Sequence, residues 1–161
     1  LFPNGGHLGD DMYYGGDNDS RSYVAGDPVE DGIIERRDQL LAIMLQSPKV
    51  VAIMTGDEHN YSRLTIEEGM PMYPEDYTGS DTLDLSGFER EAPITQIVNG
   101  AVGAPYYAQE NTPWISYLDA FTTQYAIVFF HVEGSNVSME TYNPETMELI
   151  DSAVLRSENN D

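Results

Sequence analysis

The sequence predicts an α/β fold of the α+β sandwich type. An amphipathic helix over residues 33–46 leads directly into an apolar strand over residues 49–54, as in the second half of a β-α-β unit. A second apolar strand is predicted at residues 94–98, and beyond residue 124 the pattern is β throughout. Turn-forming residues divide that last part into three strands of an antiparallel β-meander that closes the sandwich, at residues 125–132, 136–142 and 147–155.

The predicted helix has a start signal, an apolar stripe and a stop signal. Asp27 is placed as the N-cap, Pro28 in the first turn and Glu30 as the capping-box partner. The stripe that repeats at helical spacing consists of Ile33, Leu40, Leu41, Met44 and Leu45. Polar residues 35–38 cover the opposite side, and the helix ends before Pro48 because the residue preceding a proline leaves the α region.

The chain of 161 residues is strongly acidic, with 28 Asp and Glu against 7 Lys and Arg. Such a surface repels phosphate backbones and anionic lipids, so neither nucleic acid nor a membrane is expected as a partner. An acidic excess is typical of secreted proteins, and we expect an extracellular or periplasmic location, with a halophile cytoplasm as the alternative. A protein that collects calcium would have the same charge balance.

The chain has no cysteine, which excludes disulfides and thiolate metal sites within it. Any metal must therefore be held by histidine, carboxylate, amide or water ligands. The longest apolar runs fall far short of the roughly 20 residues that span a bilayer. The length fits one domain, and because the chain begins at Leu1 without a leader, we expect residues 1–161 to be part of a longer polypeptide. Residues 65–93 are acidic and rich in turn formers, so we expect an acidic loop insertion there.

Residues 50–64 have the pattern of a functional site at the end of a core strand. The apolar part stops at Gly56 and is followed within seven residues by Asp, Glu, His, Asn, Tyr and Arg. In open α/β sheets ligands gather outside the carboxyl ends of the strands, because loops there bring polar groups together. The second strand ends in a glycine-rich loop at residues 99–107, and its glycines permit close backbone approach, so we expect the two loops to lie side by side.

Residues 56–63, Gly-Asp-Glu-His-Asn-Tyr-Ser-Arg, resemble the last metal-binding motif of the calcineurin-like metallophosphoesterases, which include the purple acid phosphatases. In that family the motif usually reads Gly-His-x-His-x-Tyr and follows a helix and a strand. The helix with Arg37-Asp38, the loop at residues 98–105 and the closing meander also resemble family features, and residues 2–10 are similar to the segment after a His-x-Pro metal motif. The resemblance implies the C-terminal half of a four-layer αββα domain whose first half is absent from this chain.

The resemblance also implies two metal ions, drawn from Fe, Zn and Mn, that are held jointly with the first half. His59 would be a metal ligand, and the alternative is a hydrogen-bonded loop histidine. Asp57 stands where the family has a histidine, so it would ligate, change the metal or make only a hydrogen bond. His7 would donate to a phosphoryl oxygen or leaving group, and the alternative is a loop histidine made mobile by Gly5 and Gly6.

Asn60, Tyr61 and Arg63 are expected to surround these ligands. They would orient His59 and neutralise substrate charge. The alternative is that Tyr61 packs in the core and that Arg63 pairs with a carboxylate.

The function that follows from the resemblance is hydrolysis of a phosphate monoester or diester by a metal-activated water. The partners would be the phosphate ester and the N-terminal half of the same domain, in the same polypeptide or in a companion chain. Without that half we expect the chain to be inactive and its sheet edge to be unpaired. The alternative is a non-catalytic acidic module for binding or assembly that keeps the fold and has lost the two-metal site.

Overall fold

The computed structural model describes residues 1–4, 23–24, 27–28, 33–73, 82–88 and 93–158. One α-helix, nine strands and two short 3₁₀ helices lie within these ranges. In chain order the elements are β1 (Tyr23–Val24), β2 (Asp27–Pro28), α1 (Ile33–Leu45), β3 (Ala52–Thr55), β4 (Tyr61–Ile66), a 3₁₀ helix (Leu85–Gly87), β5 (Ile94–Asn99), a second 3₁₀ helix (Ile115–Tyr117), β6 (Leu118–Thr122), β7 (Ile127–Glu133), β8 (Asn136–Tyr142) and β9 (Leu149–Arg156).

The strands form two larger sheets and one short pair. The central sheet has the order β3-β5-β4-β6, in which β3 runs parallel to β5 and the other neighbours are antiparallel. The meander sheet has the order β7-β8-β9 and is antiparallel throughout. Strands β1 and β2 pair with each other. The mixed α/β class predicted from the sequence is confirmed, as is the closing antiparallel meander.

Alternation along the strands of the central sheet separates two hydrophobic cores. On β4, Leu64 and Ile66 point to the side of α1 and share a buried cluster with Leu41. Tyr61 points to the other side and lies in a second cluster with Met139 of the meander sheet. Because successive side chains of a strand face opposite ways, the central sheet lies between α1 and the meander sheet. The described residues therefore stack in three layers.

The helix α1 buries a charged pair that the sequence pattern places on the solvent side. Arg37 Nη2 lies 2.7 Å from Asp38 Oδ1, and both residues are buried. The guanidinium donates to the carbonyl oxygen of Met72 at 2.8 Å and lies 4.7 Å from the centre of the Phe2 ring. Tyr73 OH donates to Asp38 at 2.6 Å, and burial together with this bond raises the pKa of Tyr73 to about 12. The predicted solvent face at residues 35–38 is therefore wrong for these two residues, because the core itself satisfies their charges.

The predicted helix start is also wrong. Asp27 and Pro28 pair with Val24 and Tyr23 in the ladder of β1 and β2, so their backbone is extended. The helix itself is described from Ile33 onward. The local sequence of Asp27 and Pro28 favours a helix cap, but these residues pair with a neighbouring strand instead. Tertiary context often overrides local propensity in this way.

The stretch predicted as an acidic insertion, residues 65–93, begins inside β4 and contributes to the core. Met70 and Met72 are buried in the cluster beneath α1. Residues 74–81 and 89–92 of this stretch lie outside the described residues. Its assignment as an insertion, like that of the whole chain as one partial domain, stays a prediction.

The segment of residues 1–4 is held against the central sheet by side chains. Phe2 N donates to Gln96 Oε1 at 2.9 Å, and Gln96 Nε2 donates back to the Phe2 carbonyl oxygen at 2.8 Å. Trp114 Nε1 donates to Asn4 Oδ1 at 3.1 Å, and Asn4 Nδ2 donates to Ser62 Oγ at 3.2 Å. The side-chain amide of Gln96 thus acts as a neighbouring peptide group would, which satisfies both buried backbone groups of Phe2.

Candidate functional site

The candidate site is formed by two loops at one edge of the central sheet. The loop of residues 56–60 follows β3 and the loop of residues 100–107 follows β5, and these strands are parallel neighbours. Their carboxyl ends therefore meet at the same edge. The Gly100 N–H donates to the Asn60 carbonyl oxygen at 3.1 Å, so the predicted side-by-side arrangement of the loops is confirmed.

Gly100 is the residue that permits this close approach. A Cβ atom at this position would overlap the carbonyl oxygens of Glu58 and Gly56 in the facing loop. Real Cβ atoms do not come so close to backbone oxygens, so any other residue here would force the two loops apart.

The side chain of His59 is oriented by the facing loop. Its Nδ1 lies 2.8 Å from the carbonyl oxygen of Pro105, and its ring stacks on Tyr107 with 4.3 Å between ring centres and 12° between planes. The Tyr107 N–H also donates to the His59 carbonyl oxygen at 3.4 Å. Because a carbonyl oxygen can only accept, Nδ1 carries the proton and the lone pair of the neutral ring lies on Nε2. A backbone carbonyl that fixes one ring nitrogen in this way is the usual support for a metal-binding histidine.

The other polar residues of the first loop differ in exposure. The side chain of Asp57 is exposed, whereas Glu58 and Asn60 are buried. Asn60 Nδ2 donates to Glu58 Oε2 at 3.3 Å, and the Asn60 N–H donates to the Glu58 carbonyl oxygen at 2.8 Å. Within the described part of the chain, Asn60 Oδ1 is buried without a hydrogen-bond partner. The side-chain nitrogen of Asn60 thus supports the nearby Glu58 side chain.

Tyr61 and Arg63 face the meander sheet and bind Asp151 of β9. Tyr61 OH donates to Asp151 Oδ2 at 2.6 Å, and Arg63 donates to both carboxylate oxygens, from Nε at 2.7 Å and from Nη2 at 3.1 Å. The remaining Arg63 nitrogen, Nη1, donates to Asp119 on β6 at 2.9 Å, and Thr65 Oγ1 donates to the same Asp119 oxygen at 2.7 Å. This ion pair is the one that the alternative interpretation of Arg63 expects.

The charges of this polar network reinforce one another. Burial acts to raise the pKa of Asp151, but the hydrogen bonds from Arg63 and Tyr61 outweigh it and hold the pKa below its usual value. Burial, followed by the hydrogen bond to Asp151, raises the pKa of Tyr61 well above its usual value. Tyr61 therefore remains a neutral donor and Asp151 an ionised acceptor across the physiological range.

Of the six residues predicted for the site, five lie in the described part of the chain. Asp57, His59 and Asn60 share one loop, in which Asn60 is the buried member. Tyr61 and Arg63 turn away to the second sheet. His7 lies outside the described residues.

The loop of residues 56–60 offers two donors that could hold a metal ion. Within those residues, no group of three or more His, Asp or Glu side chains comes together to hold an ion. His59 offers an oriented imidazole nitrogen, and Asp57 offers an exposed carboxylate on the same loop. An imidazole nitrogen and a carboxylate are both competent ligands for a divalent transition-metal ion, so the donor chemistry of this loop fits a metal.

Three residues of the site region are absent from the sequence-based prediction. Pro105 and Tyr107 orient His59, and Asp151 binds Tyr61 and Arg63. The glycine-rich loop did indicate the neighbourhood of the first two. For Asp151 the available signal is an acidic side chain inside a strand pattern, which is unusual unless the residue has a partner.

Comparisons with known proteins give no family for this chain. No family model matches it, and searches of curated proteins and of solved structures find no match. The likeness to metallophosphoesterases therefore rests on the motif residues of the chain itself. Across the ranges that the structure describes, no helix has the length and apolar character needed to cross a membrane.

Proposed function

We propose that this chain is the C-terminal half of a metal-dependent phosphoesterase domain and that His59 is one of its metal ligands. The observation that carries the proposal is the hydrogen bond between His59 Nδ1 and the Pro105 carbonyl oxygen. This bond leaves the lone pair on Nε2, in a loop at the carboxyl end of a core strand. The resemblance of residues 56–63 to the last metal-binding motif of the metallophosphoesterases supports this choice of family.

The residues of this chain would have distinct tasks in that site. Bound Fe, Zn or Mn ions would supply a Lewis acid and an activated water for attack on phosphorus. His59 would hold one ion through Nε2, and the Asp57 carboxylate is suited to the same or the neighbouring ion. Asn60 would keep the ligand loop in place through Glu58. Arg63 already donates to Asp151 and Asp119, so its proposed task is to join the two sheets.

The proposed partner is the N-terminal half of the domain, and two sheet edges support it. Met54 on the edge strand β3 pairs in register with the buried Ile97, so it faces the core between the sheets, yet it is 52% exposed. Val132 on the edge strand β7 faces the same way as Val137, which packs in that core, and is 66% exposed. Both strands lie at sheet edges among the described residues, and inward-facing but exposed apolar side chains are expected at such edges if further strands continue both sheets.

The test is an assay of the full-length polypeptide on an aryl phosphate with added Mn or Zn. We expect His59→Ala to lower kcat/KM by about a thousandfold, because loss of a metal ligand removes several kcal/mol of transition-state stabilisation. His131→Ala is the matched control, since His131 is an exposed histidine on β7 that pairs with Glu140. The proposal would be excluded if the intact polypeptide has no activity on the aryl phosphate, or if His59→Ala leaves its kcat/KM unchanged.

The second candidate is an acidic module that keeps the fold without the metal site. Asp57 favours it, because a carboxylate replaces the first histidine of the motif. Elemental analysis of the full-length protein distinguishes the two. Two metal ions per polypeptide support the phosphoesterase, and a metal-free protein that still binds a partner supports the module.

A further inference from the structure

We infer that Tyr107 is a positioning residue for His59, acting through the loop of residues 100–107. The inference deepens the proposed function, on which it rests for the role of Nε2 as a metal ligand. The orientation of the His59 ring and the position of its proton are separate claims that can be tested without metal.

Two contacts restrict the His59 ring in complementary ways. The hydrogen bond to the Pro105 carbonyl oxygen fixes the direction of Nδ1 and places the proton there. A single hydrogen bond still allows the ring to tilt about the Nδ1 direction. The Tyr107 ring, nearly parallel to it at 4.3 Å between centres, opposes that tilt because the stacked faces would have to separate. Together the contacts determine where the Nε2 lone pair points.

The backbone holds the two rings in register. The Tyr107 N–H donates to the carbonyl oxygen of His59 itself, so the stacking partner is tied to the same residue that it orients. The Gly100 N–H donates to Asn60 at the other end of the contact. The loop therefore contacts the loop of residues 56–60 through three of its residues, namely Gly100 through its N–H, Pro105 through its carbonyl oxygen, and Tyr107 through both its N–H and its ring.

The neighbouring Tyr106 offers a matched control. Its side chain is exposed, and the centre of its ring lies 5.9 Å from that of Tyr125, with 55° between the ring planes. This contact is separate from the stack of Tyr107 on His59. The same substitution at Tyr106 and at Tyr107 thus removes an aromatic ring from the same loop, but only the second removes the stack on His59.

The experiment uses the full-length polypeptide with ¹⁵N-labelled histidine and compares wild type with Tyr107→Leu, Tyr107→Phe and Tyr106→Leu. Ring-nitrogen NMR of the metal-free protein, assigned with His59→Ala, reports which nitrogen of His59 carries the proton. Calorimetric titration with Zn then reports affinity. We expect the proton on Nδ1 in wild type, altered His59 ring signals in Tyr107→Leu, and about tenfold weaker Zn binding in that variant. Tyr107→Phe should keep the affinity within about twofold because the stack remains.

The inference is overturned if the wild-type proton lies on Nε2, or if Tyr107→Leu leaves the His59 signals as Tyr106→Leu does. The wild-type tautomer and the Tyr107→Phe comparison remain decisive if Tyr107→Leu does not fold. Altered ring signals in Tyr107→Leu without Zn binding in any variant would support the positioning role and reject the proposed metal site.

Discussion

Residues 56–60 and residues 61–63 are adjacent in the chain, yet they belong to different structures. The first group forms the loop in which His59 contacts Pro105 and Tyr107. The second begins β4, where Tyr61 and Arg63 reach across the sandwich to Asp151. The first half of this continuous polar motif thus forms the candidate ligand loop, and its second half belongs to the polar network between the two sheets.

The difference arises where loop geometry gives way to strand geometry. From Tyr61 onward side chains alternate, so Tyr61, Arg63 and Thr65 share the face toward the meander sheet. Ser62 faces the other way, toward Asn4. The spacing of residues in a motif therefore predicts which side chains lie together only while those residues belong to one structural element. Where the loop ends and the strand begins, the side chains turn in new directions.

Asp151→Ala is expected to have the largest effect on stability, and this effect should be confined to the inter-sheet network. The side chains of Arg63 and Asp151 are only 15% and 10% exposed, so removing the carboxylate leaves a largely buried guanidinium with reduced pairing. We expect a loss of about 3 kcal/mol of unfolding free energy, measured by urea denaturation of the full-length polypeptide. The His59 ring signals in NMR should not change.

Asp119→Ala is the control for that variant. Its carboxylate accepts from the same Arg63 but is 37% exposed, so its loss should cost about 1 kcal/mol or less. Equal effects of the two variants would contradict the larger cost assigned to Asp151, and altered His59 signals in Asp151→Ala would show that the loop and the network are one unit.

The next effect is expected from Gly100→Ala, which addresses the loop side of the comparison. The added Cβ would overlap carbonyl oxygens of the facing loop, so we expect a loss of about 2 kcal/mol together with altered His59 ring signals. Gly87→Ala is the matched control, because a Cβ there meets no atom within 4 Å. Undisturbed His59 signals in Gly100→Ala would contradict the role of the glycine-rich loop.

Tyr61→Phe should have a smaller effect, confined to the network. It removes one hydrogen bond to an ionised acceptor, which is worth about 1.5 kcal/mol. In the Asp151→Ala background the same change should cost close to nothing, because its acceptor is already gone. A full cost in both backgrounds would mean that the Tyr61 hydroxyl acts through some other contact.

The smallest effect concerns acid pH. The pKa of Asp151 is lower in the folded protein than in the unfolded chain, where it is about 3.9. Its contribution is therefore complete above that value and is lost as the pH falls through the folded pKa. The difference in stability between wild type and Asp151→Asn should be constant from pH 7 to about pH 5 and shrink below about pH 4. If the stability difference between wild type and Asp151→Asn grows as the pH falls, the pKa of Asp151 is raised in the folded protein and not lowered.

Much of the fold was predictable because its signals are local. The helix core and the strand at residues 136–142 follow from hydrophobic periodicity and turn formers. The meeting of the two loops follows from parallel strands that end in glycine-rich and polar segments. Strand β6 is missed because its Leu-Asp-Ala-Phe-Thr sequence has only partial alternation. Strand β4 is missed because the sequence pattern divides its residues between the polar motif that ends at Leu64 and the predicted insertion that begins at Thr65.

The sequence by itself determined the acidic surface, the absence of thiol ligands, the helix and strands with strong periodicity, and the loop that carries His59. Only the tertiary structure decided that Arg37 and Asp38 are buried, that Tyr107 stacks on His59 and that Tyr61 and Arg63 bind Asp151. Asp151 is 88 residues from Arg63 in the chain. Such a pairing depends on which sheets stack and in what register, and no local pattern of residues carries that information.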